Sequence, residues 1–341
     1  MTSTSTTAWQ KLAGLVSALL GMARVGGVRL VGGRLGRALL GGVVVASVAV
    51  PLTGAARAAG VRAPVPAAVP PLRAASPTAL AERYAVSRGS IRAAERMAAG
   101  DGNRWRASML RGMADPARAF LSFDGRDGGR AVEVFGDLSR AERIAVIVPG
   151  ADTNLDKYGL LRGGSLRLQA RLGDRSAVIA WLGYRTPSTV SLPAVTTGRA
   201  DEAAPGLRSF VRELTAIKPD ARISLLCHSY GSVVCARAAD GLDVADIVLY
   251  ASAGVGVDDV AALRTRATVW AGRSLGDWIG GVPHTRLPLP FVTVGFGADP
   301  VSPEFGARVF AAGNDGHSDY LRPGVALENI ARIVSGRLPP E

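Results

Sequence analysis

Ile223-Ser224-Leu225-Leu226-Cys227-His228-Ser229-Tyr230-Gly231 is the stretch that decides the fold of this chain. Its apolar start, Ile223–Leu226, reads as a buried strand, and the small-residue run from Gly231 to Ala239 reads as a helix. Between them, Cys227–Gly231 has the form of a nucleophile elbow, G-x-S-x-G with cysteine in the first glycine position. Such a turn holds a serine hydroxyl clear of the sheet. It needs small flanking residues because strand and helix nearly touch there. The helix behind it turns backbone N–H groups toward a developing oxyanion.

Working outward, Phe120–Phe123 and Ala131–Phe135, separated by the turn residues from Asp124 to Gly129, predict a hairpin. Ile144–Val148 is a continuous apolar run, as expected of a strand buried on both faces. Ser176–Trp181 predicts a strand and Asp201–Ile217 a helix; further strands are predicted over Asp246–Tyr250, Thr268–Ala271 and Ala307–Phe310, with a terminal helix over Val325–Ser335. An antiparallel start followed by β-α alternation predicts an α/β fold: one doubly wound, mostly parallel sheet with helices on both faces. No internal repeat is visible.

The 341 residues, 48% apolar, suffice for one large α/β domain, assigned to 115–341. A helical N-terminal extension over 77–114 precedes it, punctuated by Ser90, Gly100 and Asp101, and a Pro/Ala-rich linker occupies 59–76. Residues 1–58 carry six basic residues and no acid, half of the formal +12 charge. Their apolar core, Ala38–Val50, is broken by Pro51 and Gly54 and followed by Ala56-Arg57-Ala58, an A-x-A site. That core is shorter than a membrane span of about 20 residues, so the segment predicts a signal peptide cleaved near Ala58, export to the cell envelope or beyond, and transient membrane contact through this segment, with retention as an anchor the alternative.

The remaining charge lacks the basic-aromatic interleaving of a nucleic-acid surface, so no nucleic-acid partner is expected. Cys227 and Cys235 are the two cysteines; eight residues apart around a tight turn, they are expected to be free, buried thiols. No C-x-x-C or clustered His/Cys pattern suggests a metal, and Gly254-Val255-Gly256 lacks the dinucleotide fingerprint, so neither metal nor cofactor is expected.

A serine hydroxyl is a weak nucleophile and needs a general base oriented by a carboxylate. Of the three histidines, His228 adjoins the serine and cannot easily turn onto its neighbour's oxygen, and His284 lies in a Pro/Gly-rich segment. His317 follows the last predicted strand and satisfies the order Ser…Asp…His, so it is the expected base. Two acids fit that order. Asp277 lies just past the strand Thr268–Ala271 and is preferred; Asp299 would follow a strand at Phe291–Val294, if that segment joined the sheet. The oxyanion donors are expected to be the backbone N–H groups of Tyr230, next to the nucleophile, and Ala151, in the loop after the central strand.

Val148-Pro149-Gly150, Trp181-Leu182-Gly183-Tyr184, His228-Ser229-Tyr230-Gly231-Ser232 and Gly316-His317-Ser318-x-Tyr320, with Gly254–Asp258 and Gly276-Asp277-x-Ile279, resemble an actinobacterial domain-of-unknown-function family in the α/β-hydrolase superfamily. The resemblance covers roughly residues 115–337 and implies the α/β-hydrolase fold and a serine nucleophile, without a substrate. Cys227, Ala253 and Arg185 depart from that pattern, where glycine, proline and an acid are usual. The expected activity is hydrolysis of a small carboxylic ester through an acyl-enzyme on Ser229. An amidase or peptidase with the same residues, and a non-catalytic envelope binding protein keeping the fold, are the alternatives.

Overall fold

The computed structural model describes residues 62–339. The predicted export segment, 1–58, lies outside them.

Two helices open the described chain, α1 (Pro77–Gly100) and α2 (Arg104–Met113). Ser76 caps α1, its hydroxyl accepting the Ala79 N–H, and Pro77 sits in the first turn where its missing N–H costs nothing. The expected break at Ser90 does not occur. Its hydroxyl folds back toward the Val86 carbonyl, and α1 runs on until Asp101-Gly102.

The sheet strands are β1 (Ala119–Asp124), β2 (Arg130–Phe135), β3 (Arg143–Val148), β4 (Ser176–Leu182), β5 (Arg222–His228), β6 (Asp246–Tyr250) and β7 (Thr268–Gly272). Two residues, Arg308–Val309, extend the far edge as β10. The spatial order is β1-β2-β4-β3-β5-β6-β7-β10. The hairpin β1-β2 and the β2-β4 pair are antiparallel and every later pair is parallel. The segment around Phe291 does not join this sheet. Thr293–Val294 (β9) pairs only with Leu287–Pro288 (β8), in a separate two-stranded ribbon.

Strand side chains alternate between two cores. On one face Ile144, Val146, Ile223, Leu225 and Cys227 pack against α4 (Gly198–Ile217) and α5 (Gly231–Ala238). On the other Ala145, Ile147, Leu226 and Val248 pack against α3 (Tyr158–Leu172) and α6 (Val325–Val334). With both faces covered, the central strands must be apolar throughout, which is why β3 and β5 read as continuous hydrophobic runs. α1 lies along β1 and covers that edge of the sheet.

The two cysteines are not free: Cys227 and Cys235 form a disulfide. The elbow turns α5 back against the end of β5, and both cysteines face the same core, with Cα atoms 6.3 Å apart. That separation is ordinary for a bridge, although eight residues around a tight turn suggested otherwise.

Candidate active site

Ser229 stands at the C-terminal end of β5 with φ +52°, a left-handed conformation that non-glycine residues adopt at a cost. Close contacts hold it there. A Cβ on Gly231 would lie 2.4 Å from the Val148 carbonyl oxygen, and one on Gly150 would lie 2.7 Å from the Ser229 Cβ. Both positions therefore require glycine: one lets α5 start against β3, the other lets the β3 loop rest on the serine. The Ser229 N–H donates to the Tyr250 carbonyl at 3.0 Å, which fixes the turn to the neighbouring strand.

His317 is brought to this serine by the loop between β10 and α6. Its Nε2 lies 3.0 Å from Ser229 Oγ, and its Nδ1 lies 2.8 Å from Asp277 Oδ1. A carboxylate only accepts, so Nδ1 carries the proton and Nε2 is left to accept from the serine hydroxyl. Asp277 follows β7 and its side chain is fully buried. Burial pushes its carboxyl pKa up. Hydrogen bonds from His317, the Ile279 N–H (2.9 Å) and the Tyr320 hydroxyl (2.8 Å) more than offset that and hold it below its ordinary value. The Tyr320 hydroxyl in turn accepts the Ser274 N–H at 2.8 Å. The Trp278 ring leans on the imidazole of His317, with centroids 4.6 Å apart.

Asp299 is elsewhere. It pairs with Arg273 at 2.6 Å, and His284 Nε2 approaches the same oxygen at 3.4 Å. Neither side chain bonds to Ser229 or His317. The structure thus brings together Ser229, Asp277 and His317, and leaves His284 and Asp299 as a separate pair.

Ala151 and Tyr230 flank the serine, one in the loop whose Gly150 touches it and the other as its chain neighbour. Among the described residues neither backbone N–H donates a hydrogen bond. The loop holding Ala151 is fixed from behind by Tyr184, whose hydroxyl donates to the Pro149 carbonyl at 2.6 Å, and by the Asp152 N–H, which donates to the Pro187 carbonyl. Two N–H groups that donate to no partner, on the two segments flanking the serine, suit an anion that forms there during reaction.

Three neighbours of this line were not foreseen as site residues. Tyr320 lay inside the Gly316-His317-Ser318-x-Tyr320 motif, so its spacing was the available signal. Trp278 directly follows Asp277, with no pattern to mark it. His228 cannot reach its neighbour's oxygen as a base, and no sequence pattern marks it for another part.

A doubly wound sheet, a serine on a left-handed strand-to-helix turn, and a histidine and carboxylate delivered by later strand-end loops define an α/β-hydrolase fold. The family described as alpha/beta hydrolase matches residues 124–287, a span that takes in Ser229 and Asp277 and stops before His317. Two curated relatives, uncharacterized proteins of Mycobacterium tuberculosis strains CDC 1551 / Oshkosh and ATCC 25618 / H37Rv, are each 31% identical over 254 residues. These matches cover 63% of this chain and 38% of each relative. Among solved structures, a lid-less serine hydrolase from Xanthomonas campestris is 18% identical with a TM-score of 0.41, over 66% of this chain and 96% of that one. The esterase LipW from Mycobacterium marinum is 15% identical with a TM-score of 0.39, over 73% of this chain and 88% of that one.

Proposed function

We propose that this chain is an exported serine hydrolase that cleaves small carboxylic esters through an acyl-enzyme on Ser229. The observation that carries the reading is the unbroken hydrogen-bonded line from Ser229 Oγ through His317 to Asp277.

In the first half-reaction Oγ attacks the ester carbonyl carbon while His317 Nε2 takes its proton. The carbonyl electron pair moves to oxygen, and the Ala151 and Tyr230 N–H groups receive that oxyanion. Asp277 holds the imidazole with Nε2 facing the serine and steadies the imidazolium. When the tetrahedral species collapses, the alkoxide leaves with the proton from His317 and the acyl group stays on Ser229. A water molecule, deprotonated by the same nitrogen, then attacks the acyl carbon; the acid is released and Oγ recovers its proton. The geometry serves amides equally, but esters are the easier bond.

Export is supported by two independent features. One is the basic, acid-free, A-x-A-bearing sequence of 1–58. The other is the Cys227–Cys235 disulfide, a pairing that persists in oxidising compartments.

Ser229→Ala tests the reading, because it deletes one oxygen and keeps the Cβ, so the steric demand of the left-handed turn is unchanged. Turnover of 4-nitrophenyl butyrate should fall by about 10⁴-fold or more with an unchanged circular dichroism spectrum. Turnover within tenfold of wild type would refute Ser229 as nucleophile.

A further inference from the structure

His228 ends β5 and directly precedes the serine, and the steps above give it no part. Its Nε2 lies 2.8 Å from the backbone carbonyl oxygen of His317. A carbonyl only accepts, so Nε2 must carry the proton and donate. The ring packs against the rings of His317 (centroids 5.0 Å apart), Tyr250 (5.2 Å) and Tyr320 (6.4 Å). Burial, and secondarily the neighbouring His317, hold its pKa down at about 4, so it is a neutral donor at neutral pH.

We propose that His228 is the positioning residue for His317: by donating to the His317 carbonyl, it ties the backbone of the general base to the residue next to the nucleophile. This rests on the serine-hydrolase reading given above. The reason for such a tie lies in the loop. Gly316–Tyr320 has no regular secondary structure, and its turns are the Asp319 N–H to Gly316 and Arg322 N–H to Asp319 bonds. Asp277 holds the far nitrogen of the imidazole and Trp278 packs on its face, and a ring held at those points can still shift with its backbone. His228 is itself rigid, because β5 pairs with β6 through the His228–Tyr250 register. One peptide bond separates it from Ser229. A donor at this point therefore sets the height of the His317 backbone relative to Oγ, and the 3.0 Å contact inherits that setting.

The position also explains why histidine suits it. The side chain must reach across the strand end with one donor, fill an aromatic pocket, and carry no charge beside His317 when that ring becomes an imidazolium.

The test separates donor from ring. His228→Phe keeps the aromatic packing and removes the donor. His228→Gln keeps a nitrogen where Nε2 stands and removes the ring. His228→Asn places its nitrogen short of the carbonyl. Each full-length variant is assayed with 4-nitrophenyl butyrate and with a fluorophosphonate probe, and its melting temperature is recorded. The Phe variant should lose about 10- to 100-fold in kcat and in labelling rate, with KM nearly unchanged, since a base displaced by a fraction of an ångström weakens chemistry and not substrate binding. Gln should recover most of the loss, and Asn should not.

A Phe variant with wild-type kcat and labelling rate overturns the role of His228, as does a Gln variant no better than Phe. Should the Phe variant fail to fold, the Gln and Asn pair decides, and equal rates for those two overturn it. If the wild type labels at Ser229, the serine-hydrolase reading stands and these outcomes bear on His228 alone. If it neither turns over ester nor labels, that reading falls and the role of His228 with it.

Discussion

Two histidine–aspartate pairs follow Ser229 in the chain, and their surroundings differ in kind. Asp277 and His317 meet at 2.8 Å, and the imidazole goes on to the serine. Asp299 and His284 stand 3.4 Å apart, and Arg273 lies nearer to the carboxylate, at 2.6 Å. Every other donor to Asp277 is neutral: an N–H and a phenol. An acid matched by a guanidinium has its charge compensated and little left to steady an imidazolium, whereas one held by neutral donors keeps that capacity. The second pair has a structural task. His284 Nδ1 bonds to the Ala253 carbonyl beyond β6, and Asp299 bonds to Arg273 just beyond β7, so the β8–β9 ribbon is fastened to the sheet at both ends.

The sharpest way to break this contrast is a pair of substitutions. Asp277→Asn should lower kcat for 4-nitrophenyl butyrate by about 10⁴, because the amide favours the wrong imidazole tautomer. Asp299→Asn should leave kcat near wild type and cost about 1–3 kcal/mol of stability, measured by urea unfolding, because Arg273 loses its partner. The opposite pattern would move the acid's role to Asp299.

A smaller effect concerns the histidine packed on the first pair. His228 has a folded pKa of about 4 against an unfolded value of about 6.5, so its contribution to stability is complete above pH 6.5. It is lost as the pH falls through that window toward 4, because the unfolded chain binds the proton first. The loss attributable to His228 is roughly 2–3 kcal/mol. Asp277, also depressed, adds an acid loss that His228→Phe retains. Unfolding free energies of wild type and His228→Phe between pH 7 and 4 should therefore converge as the pH drops; parallel curves would contradict the buried neutral state. Smallest is Tyr320→Phe, which removes one donor from the Asp277 carboxylate and strands the Ser274 N–H. It should lower kcat about 10-fold, and Tyr250→Phe, whose hydroxyl touches neither site acid, is the control.

The sequence made the strand segments and the elbow legible because both rest on local pattern. The run Ile144–Val148 is apolar throughout, as a strand buried on both faces must be, and the small residues around Ser229 mark a turn where strand and helix touch. The choice between Asp277 and Asp299 was only half legible. It depended on whether Phe291–Val294 enters the main sheet, a non-local pairing that β propensity does not report. The disulfide was misread for a related reason. Separation along the chain says little about distance when a left-handed residue reverses direction between the two positions. The part of His228 was hidden altogether, since its partner is a backbone carbonyl 89 residues away and backbone atoms leave no mark in a sequence.

In the proposed mechanism Ser229 carries the acyl group, and that species can be trapped. Wild-type protein mixed with 4-nitrophenyl butyrate, quenched in acid within the first turnover and digested, should yield the Ser229 peptide heavier by one butyryl group, with a matching burst of nitrophenol. His317→Ala should show neither. A burst with the acyl group on another residue, or ester turnover with no acylated peptide, would contradict the account.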